Sequence, residues 1–386
     1  MPKIGSDIKS IKDFNRSLVL KMARKKPISR VEISRETGLT RAAVTIISNT
    51  LIEEGIIREI GIGQGDRGRH PIMIDLVDTY KYAVSIAISR EEVTVCLVNL
   101  KCVVLDEKSY PNRRFTHHYE MLSTLIETIE LLCKKNNIPK QKLLGIGISA
   151  PGPIDIVTGT ILNPPNFSLV HNFAIVSLLR EEFGKPVFIA NNPIALAVAE
   201  NAYGLVGDFK NALFIVVDDG IGVAIVSNGV IFRGAYGYAG EFGHLSVDLN
   251  GERCSCGNVG CLENYISFPS LKARFGDGWP GSWVNLVDNA RGGDKRCREI
   301  IDFEVKYLSA AIVSVSNLLN IDAVVFQGKL THRFNLIRPG IYDNVNSMVM
   351  TGGVGHVNIL ASTLPDAEKI AGAALVIEEF CNSAIS

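Results

Sequence analysis

The chain has 386 residues, 47% of them hydrophobic and 21% charged, and its forty basic and forty acidic side chains leave no net charge. That length supports two or three domains with a sizeable core. No apolar run nears the roughly eighteen residues of a membrane span, and the opening MPKIGSDIKSIKD lacks the apolar segment of a secretory signal, so a cytoplasmic protein with no membrane partner is expected. The charge is unevenly spread: residues 1–70 carry fourteen Lys and Arg against eight Asp and Glu. A basic N-terminal module of this kind points to nucleic acid.

In chain order, Ile11, Phe14, Leu18 and Met22 fall at spacings of three or four and predict a helix over Ile11–Ala23. Ser29 and Glu32 form a capping-box pattern for a second helix through Glu36, which Gly38 ends. Thr40 can cap a third helix from Arg41 to about Glu54. Helix, glycine turn, helix is the helix-turn-helix arrangement. In the third helix Val44, Ile47 and Leu51 face inward, leaving Thr40, Arg41, Thr45 and Ser48 as side chains of the types that read base edges. After Gly55, two β-like runs flank a glycine-rich tip carrying Arg67, Arg69 and His70, which completes a winged helix-turn-helix over residues 1–78 with double-stranded operator DNA as its partner.

From Tyr82 the pattern changes to short strands: 82–88, 93–100 and 102–110, then a helix over 119–136 and a buried strand over 143–150. The order returns as strands 212–217, 222–227 and 230–232, a helix over 304–320 and a strand over 323–326. A twice-used βββαβ order is that of the two-lobed actin-like ATPase fold, an α/β body of the ribonuclease H-like kind. Its expected lobes are residues 79–190 and residues 191–365, and a C-terminal helix is read within residues 366–386. The turn-rich segments 151–155 and 163–167 mark loops of the cleft between them.

The stretch 241–263, EFGHLSVDLNGERCSCGNVGCLE, gathers one imidazole and three thiols. His244, Cys254, Cys256 and Cys261 form a ligand set suited to tetrahedral zinc, and four protein ligands leave no open position, so a structural ion is expected. The other five cysteines (Cys96, Cys102, Cys133, Cys297, Cys381) are scattered, which suits a reducing compartment better than a disulfide framework.

Glu241-Phe-Gly-His244 and Cys254-Ser-Cys256-Gly-Asn-Val-Gly-Cys261-Leu-Glu263 resemble the ExGH and CxCGxxGCxE motifs of the ROK family, which groups sugar kinases with sugar-responsive transcriptional repressors. The GRHP at the wing is similar to the GRP segment of the family's repressors. The resemblance also implies that the C-terminal helix in 366–386 packs back on the first lobe, 79–190. A kinase of this fold requires phosphate-admitting glycine turns and a general-base carboxylate. The family's DxGxT region falls on Ser85-Ile-Ala-Ile-Ser89-Arg90, without the aspartate or glycines, and its GTG loop falls on Asp218-Asp219-Gly220-Ile221-Gly222, with no compensating cation expected nearby. Each carboxylate facing a phosphate at about 4 Å costs roughly 4 kcal/mol at an effective dielectric near 20. The stretch Ala190–Glu200 resembles the family's ENDANAAALAE, and the catalytic aspartate falls on Asn192, an amide that cannot take a proton.

No enzyme activity is therefore expected. The resemblance implies a sugar pocket formed by Asn166, Asn191, Asn192, Glu241, His244 and Glu263, with His244 serving zinc through one ring nitrogen and a hydroxyl through the other. Ile194 replaces a family asparagine at the pocket edge. The implied protein is a sugar-responsive transcriptional repressor acting as a homodimer or dimer of dimers, with a monosaccharide or sugar derivative as effector. The competing expectations are a ROK sugar kinase and a DNA-binding regulator controlled by a protein partner.

Overall fold

The computed structural model describes residues 8–62, 71–165, 167–235, 237–350, 353 and 355–382. It separates into two compact units, Met1–Tyr203 with Pro365–Ser386, and Gly204–Leu364.

The first unit opens with helix α1 (Ile8–Lys25), a two-residue strand β1 (Ile28–Ser29), α2 (Arg30–Thr37), α3 (Arg41–Glu53) and the antiparallel strands β2 (Ile57–Ile62) and β3 (Ile72–Leu76). The Ser29 hydroxyl accepts from the Glu32 amide at 3.2 Å while the Glu32 carboxylate accepts from the Ser29 amide at 2.9 Å, so both orphan donors at the start of α2 are satisfied. Gly38 ends α2 at φ 73°, where a side chain would be strained, and Thr40 caps α3 by accepting from Ala43 N at 3.2 Å. Val19, Leu20, Ile33, Val44, Leu51, Ile57 and Ile74 are fully or almost fully buried among these elements. Sequence periodicity does not reveal β1, which adds to β3 to give the sheet order β1-β3-β2. The predicted tip residues Arg67, Arg69 and His70 lie outside the described residues.

The same unit continues as β4 (Tyr82–Ile88), β5 (Glu92–Asn99), β6 (Val104–Pro111), α4 (His118–Lys135), β7 (Leu143–Ala150), the small hairpin β8 (Ile154–Asp155) and β9 (Thr160–Ile161), α5 (Ile175–Phe183), β10 (Val187–Asn191) and α6 (Asn192–Tyr203). Its sheet runs β10-β7-β4-β5-β6, with β10, β7 and β4 parallel and the rest antiparallel. The near-continuous apolar runs of β4, β5 and β7 follow from burial on both faces.

The second unit contains β11 (Ala212–Val217), β12 (Ile221–Ser227), β13 (Val230–Phe232), α7 (Glu263–Ile266), α8 (Phe268–Phe275), α9 (Trp283–Arg291), α10 (Lys295–Leu319), β14 (Ala323–Gln327), α11 (Arg338–Met348) and β15 (Asn358–Ala361). Its sheet order is β13-β12-β11-β14-β15, with β11, β14 and β15 parallel. Each sheet thus has an antiparallel three-strand meander, a fourth strand parallel to the first, and a fifth parallel to the fourth. The repeat expected from element order is present, and each copy gains a fifth strand.

The last helix, α12 (Ala367–Asn382), returns to the first unit and packs on β7, β4 and α6. The approach is backbone to backbone: a Cβ on Gly147 would lie 1.8 Å from the Gly372 carbonyl oxygen. Because α6 packs on α12 and on β7, it belongs to the first unit, and the division falls at Tyr203/Gly204 instead of the expected 190/191.

Candidate functional site

The strongest cluster is in the second unit. The ligand atoms of His244, Cys254, Cys256 and Cys261 all lie within 4.8 Å of one another. Cys254 Sγ stands 3.6 Å from His244 Nδ1, and Cys256 Sγ stands 3.6 Å from Cys261 Sγ. A tetrahedral zinc with its usual bond lengths has edges of about 3.8 Å between sulfurs and about 3.6 Å between sulfur and nitrogen. These two edges match a tetrahedral ion, and Nδ1 is the His244 nitrogen that faces Cys254.

Local backbone bonds build this nest. The Cys254 amide donates to the Asn258 carbonyl at 2.9 Å and the Gly257 amide to the Cys254 carbonyl at 3.0 Å, which closes the turn between the first two thiols and the third. Asn258 Nδ2 donates to the His244 carbonyl at 3.1 Å, tying the imidazole segment to the cysteine loop. Gly260 sits at φ 64°, and a Cβ there would lie 1.8 Å from the Asp248 carbonyl oxygen, so no other residue fits. The Asn258 backbone hydrogen bond holds the exposed Cys256 thiol below its ordinary value, whereas burial pushes Cys261 up to about 12.

Glu263 follows two residues after the last cysteine. Its Oε2 accepts from the Ile221 amide at 3.1 Å, and the Phe268 amide donates to the Asp218 carbonyl at 3.0 Å. The exit of the cysteine loop is thus fastened to segment 218–222. Asp219 is exposed, but Asp218 Oδ1 is paired with Lys329 Nζ at 3.0 Å. This corrects the expectation that no cation compensates these carboxylates: Lys329 comes from the turn after β14, 111 residues away in sequence. Glu241 is exposed and His244 half-buried.

In the first unit, Asn191 caps α6, its Oδ1 accepting from Ile194 N at 3.2 Å. Asn192 Oδ1 accepts from Ser149 Oγ at 2.8 Å, and Asn192 Nδ2 donates to the Ile88 carbonyl at 3.4 Å. An amide satisfies both partners; a carboxylate would set an oxygen against the Ile88 carbonyl. Ile194 is buried, and Asn166 lies outside the described residues. The predicted sugar residues therefore fall into two groups, Asn191 and Asn192 in one unit and Glu241, His244 and Glu263 in the other.

On α3, Thr40, Arg41 and Thr45 are exposed as expected, but Ser48 is not. It is fully buried, four residues from Val44 and three from Leu51, so at 100° per residue it shares their inward stripe. The Thr45 hydroxyl donates to the Arg41 carbonyl at 2.8 Å, which turns that polar group back to its own helix. The outward stripe also includes an apolar residue, Ile46, which is 68% exposed. A helical wheel drawn from the buried positions would have found it.

Helix α1 is joined to α12 by a half-buried ion-pair group. Arg24 Nη1 contacts Glu378 Oε2 at 2.7 Å, Lys21 Nζ contacts Glu378 Oε1 at 2.7 Å, and the Arg24 guanidinium lies 5.1 Å from the ring centre of Tyr203, the last residue of α6. Burial by itself would raise the Glu378 pKa, but Arg24 and Lys21 overcome it and hold the carboxyl at about 2.

The ROK family profile matches residues 83–379. The chain is 30% identical to the xylose repressor of Bacillus spizizenii over 380 residues, covering 96% of each chain. It is also 30% identical to the DNA-binding transcriptional dual regulator NagC of Escherichia coli over 371 residues, covering 92% of this chain and 90% of the relative. Among solved structures, a ROK family transcriptional regulator described as a homologue of the E. coli MLC protein superposes with a TM-score of 0.78 at 28% identity, over 97% of both chains. A ROK hexokinase from Thermus thermophilus, at 24% identity and a TM-score of 0.65, covers 76% of this chain and 97% of its own, and it shares the fold of the body. The protein belongs to the ROK family.

Proposed function

We propose that the protein is a sugar-responsive transcriptional regulator, a repressor of a carbohydrate-utilisation operon, with no phosphoryl-transfer activity. The N-terminal module, residues 1–78, would act as a winged helix-turn-helix, with α3 entering the major groove of operator DNA and with Arg67 and Arg69, outside the described residues, as further DNA contacts. The observation that carries this reading is the outward face of α3, exposed beside an arginine with no carboxylate partner among the described residues, on a module built into the same unit as a kinase-like lobe. The printed names of the relatives, a xylose repressor and a DNA-binding regulator, support a DNA partner and a monosaccharide or sugar derivative as effector.

The proposed sugar contacts are Asn166, Asn191 and Asn192 in the first unit and Glu241, His244 and Glu263 in the second. Asn192 stands where a kinase's general base is required, and its amide is engaged with Ser149 and Ile88. Zinc bound by His244, Cys254, Cys256 and Cys261 would be structural: it would cross-link the loop and leave His244 Nε2 for the sugar. Sugar binding would shift the population of first-unit states, and the Arg24–Glu378 ion pair, which ties α1 to α12, would be one route for that shift to reach α1. The regulator would act as a homodimer or dimer of dimers, one winged helix per half-site.

Ile194 favours a second reading, in which sugar sensing is lost and a protein partner supplies the signal. The test is a thermal-shift screen of the purified protein against monosaccharides, their N-acetylated amines and their phosphates. Stabilisation by one of them that disappears in Glu263→Ala supports sensing, a flat response supports the partner-controlled reading, and turnover of ATP with any sugar would overturn the non-enzyme assignment.

A further inference from the structure

Helix α3 places Ala42, Thr45, Ile46 and Asn49 at i, i+3, i+4 and i+7, opposite the buried stripe of Val44, Ser48 and Leu51. All four are exposed. The polar groups of this face are largely spoken for: the Thr45 hydroxyl donates to the Arg41 carbonyl at 2.8 Å, and Asn49 Oδ1 accepts from Arg30 at 3.2 Å. What the middle of the helix presents is apolar: the Ala42 methyl and, at 68% exposure, the branched Ile46 side chain. The flank is cationic. Arg16, Arg24, Arg30 and Arg35 are each paired with a carboxylate, whereas Arg41, at the start of α3, has none among the described residues.

An apolar strip beside a free arginine does not suit water, and it does not suit a groove lined only with hydrogen-bonding edges. It suits the one apolar group that the major groove displays, the C5-methyl of thymine. We infer that Ile46 is a specificity-determining residue that reads the 5-methyl group of at least one thymine in each operator half-site, with Arg41 anchoring the same segment on the phosphate backbone. This rests on the DNA-binding reading above and adds what that face recognises. Burying one methyl against Ile46 is worth about a fourfold change in affinity.

The test uses the full-length protein. A preferred duplex is first selected from a random pool, and each thymine in it is then replaced singly by deoxyuridine, which removes the methyl and leaves base pairing intact. Wild-type protein should bind about fourfold more weakly when one or two thymines per half-site lose the methyl. Ile46→Ala, a change at an exposed position, should bind the parent duplex about fourfold more weakly and be indifferent to deoxyuridine at those same positions. Indifference of the wild type at every thymine, or an equal loss in wild type and Ile46→Ala, overturns the assignment while leaving DNA binding intact. A pool that yields no enriched sequence overturns the underlying DNA-binding reading.

Discussion

Glu263 accepts a hydrogen bond from the Ile221 amide at 3.1 Å, so the residue that closes the cysteine loop also holds the start of β12. The metal nest and segment 218–222 are therefore one mechanical piece. Loss of zinc should release the Ile221 amide along with the loop. The expected outcome is one zinc per chain in the protein as purified, and faster hydrogen exchange at Ile221 and across 254–261 after chelation or in Cys254→Ser. Unchanged exchange at Ile221 with the metal removed would separate the two elements.

Asn192 is bound by Ser149 and by the Ile88 carbonyl, and on the proposed reading an acid at this position does not produce a kinase. Asn192→Asp puts a carboxylate oxygen against a carbonyl, with an expected cost of about 1–3 kcal/mol. A lower melting temperature with no sugar-dependent ATP consumption is predicted. Measurable phosphorylation in this single variant would show that the remainder of the catalytic apparatus is intact.

Ser48 carries a buried hydroxyl with no hydrogen-bond partner among the described residues, on the inward stripe of α3. Ser48→Ala removes an unsatisfied group at little change in volume, so stability should stay level or rise by about 1 kcal/mol with operator affinity unaltered. Denaturant titration and DNA-binding isotherms of the same preparation check both halves. A drop in affinity at unchanged stability would return Ser48 to the DNA-contacting face.

The ion pair between Glu378 and Arg24 makes the seat of α1 sensitive to acid. A carboxyl held at about 2 in the folded protein, against 4.5 ordinarily, contributes stability that is fully present above pH 4.5 and is lost as the pH falls towards 2. The contribution is on the order of 3 kcal/mol. Glu378→Gln should therefore be less stable than wild type at neutral pH, and the difference should shrink as the pH falls through this window. A difference independent of pH would point to packing instead of charge.

The parts of this molecule fixed by local chemistry are legible in the sequence. The Ser29–Glu32 box, the Gly38 stop and the Thr40 cap place α2 and α3 because each depends on residues within three or four positions. The metal set is legible for the same reason, three thiols and an imidazole within eighteen residues. What fails to show depends on distant partners. Lys329 reaches Asp218 across 111 residues, and α6 joins the first unit through its packing on a helix near the other end of the chain. Strands β10 and β15 escape because short apolar runs between helices have no alternation to mark them, both being parallel strands of the body. Ser48 offers a hydroxyl suited to base edges, but its helical phase puts it on the buried stripe with Val44 and Leu51.

The most direct test of the central claim is the affinity of the full-length protein for its selected operator, measured by fluorescence anisotropy with and without the monosaccharide that stabilises it most. Tight, salt-dependent binding that the sugar shifts at least fivefold, with the shift abolished in Glu263→Ala, is the predicted result. Binding that no sugar alters, or a sugar that is consumed together with ATP, would contradict the account.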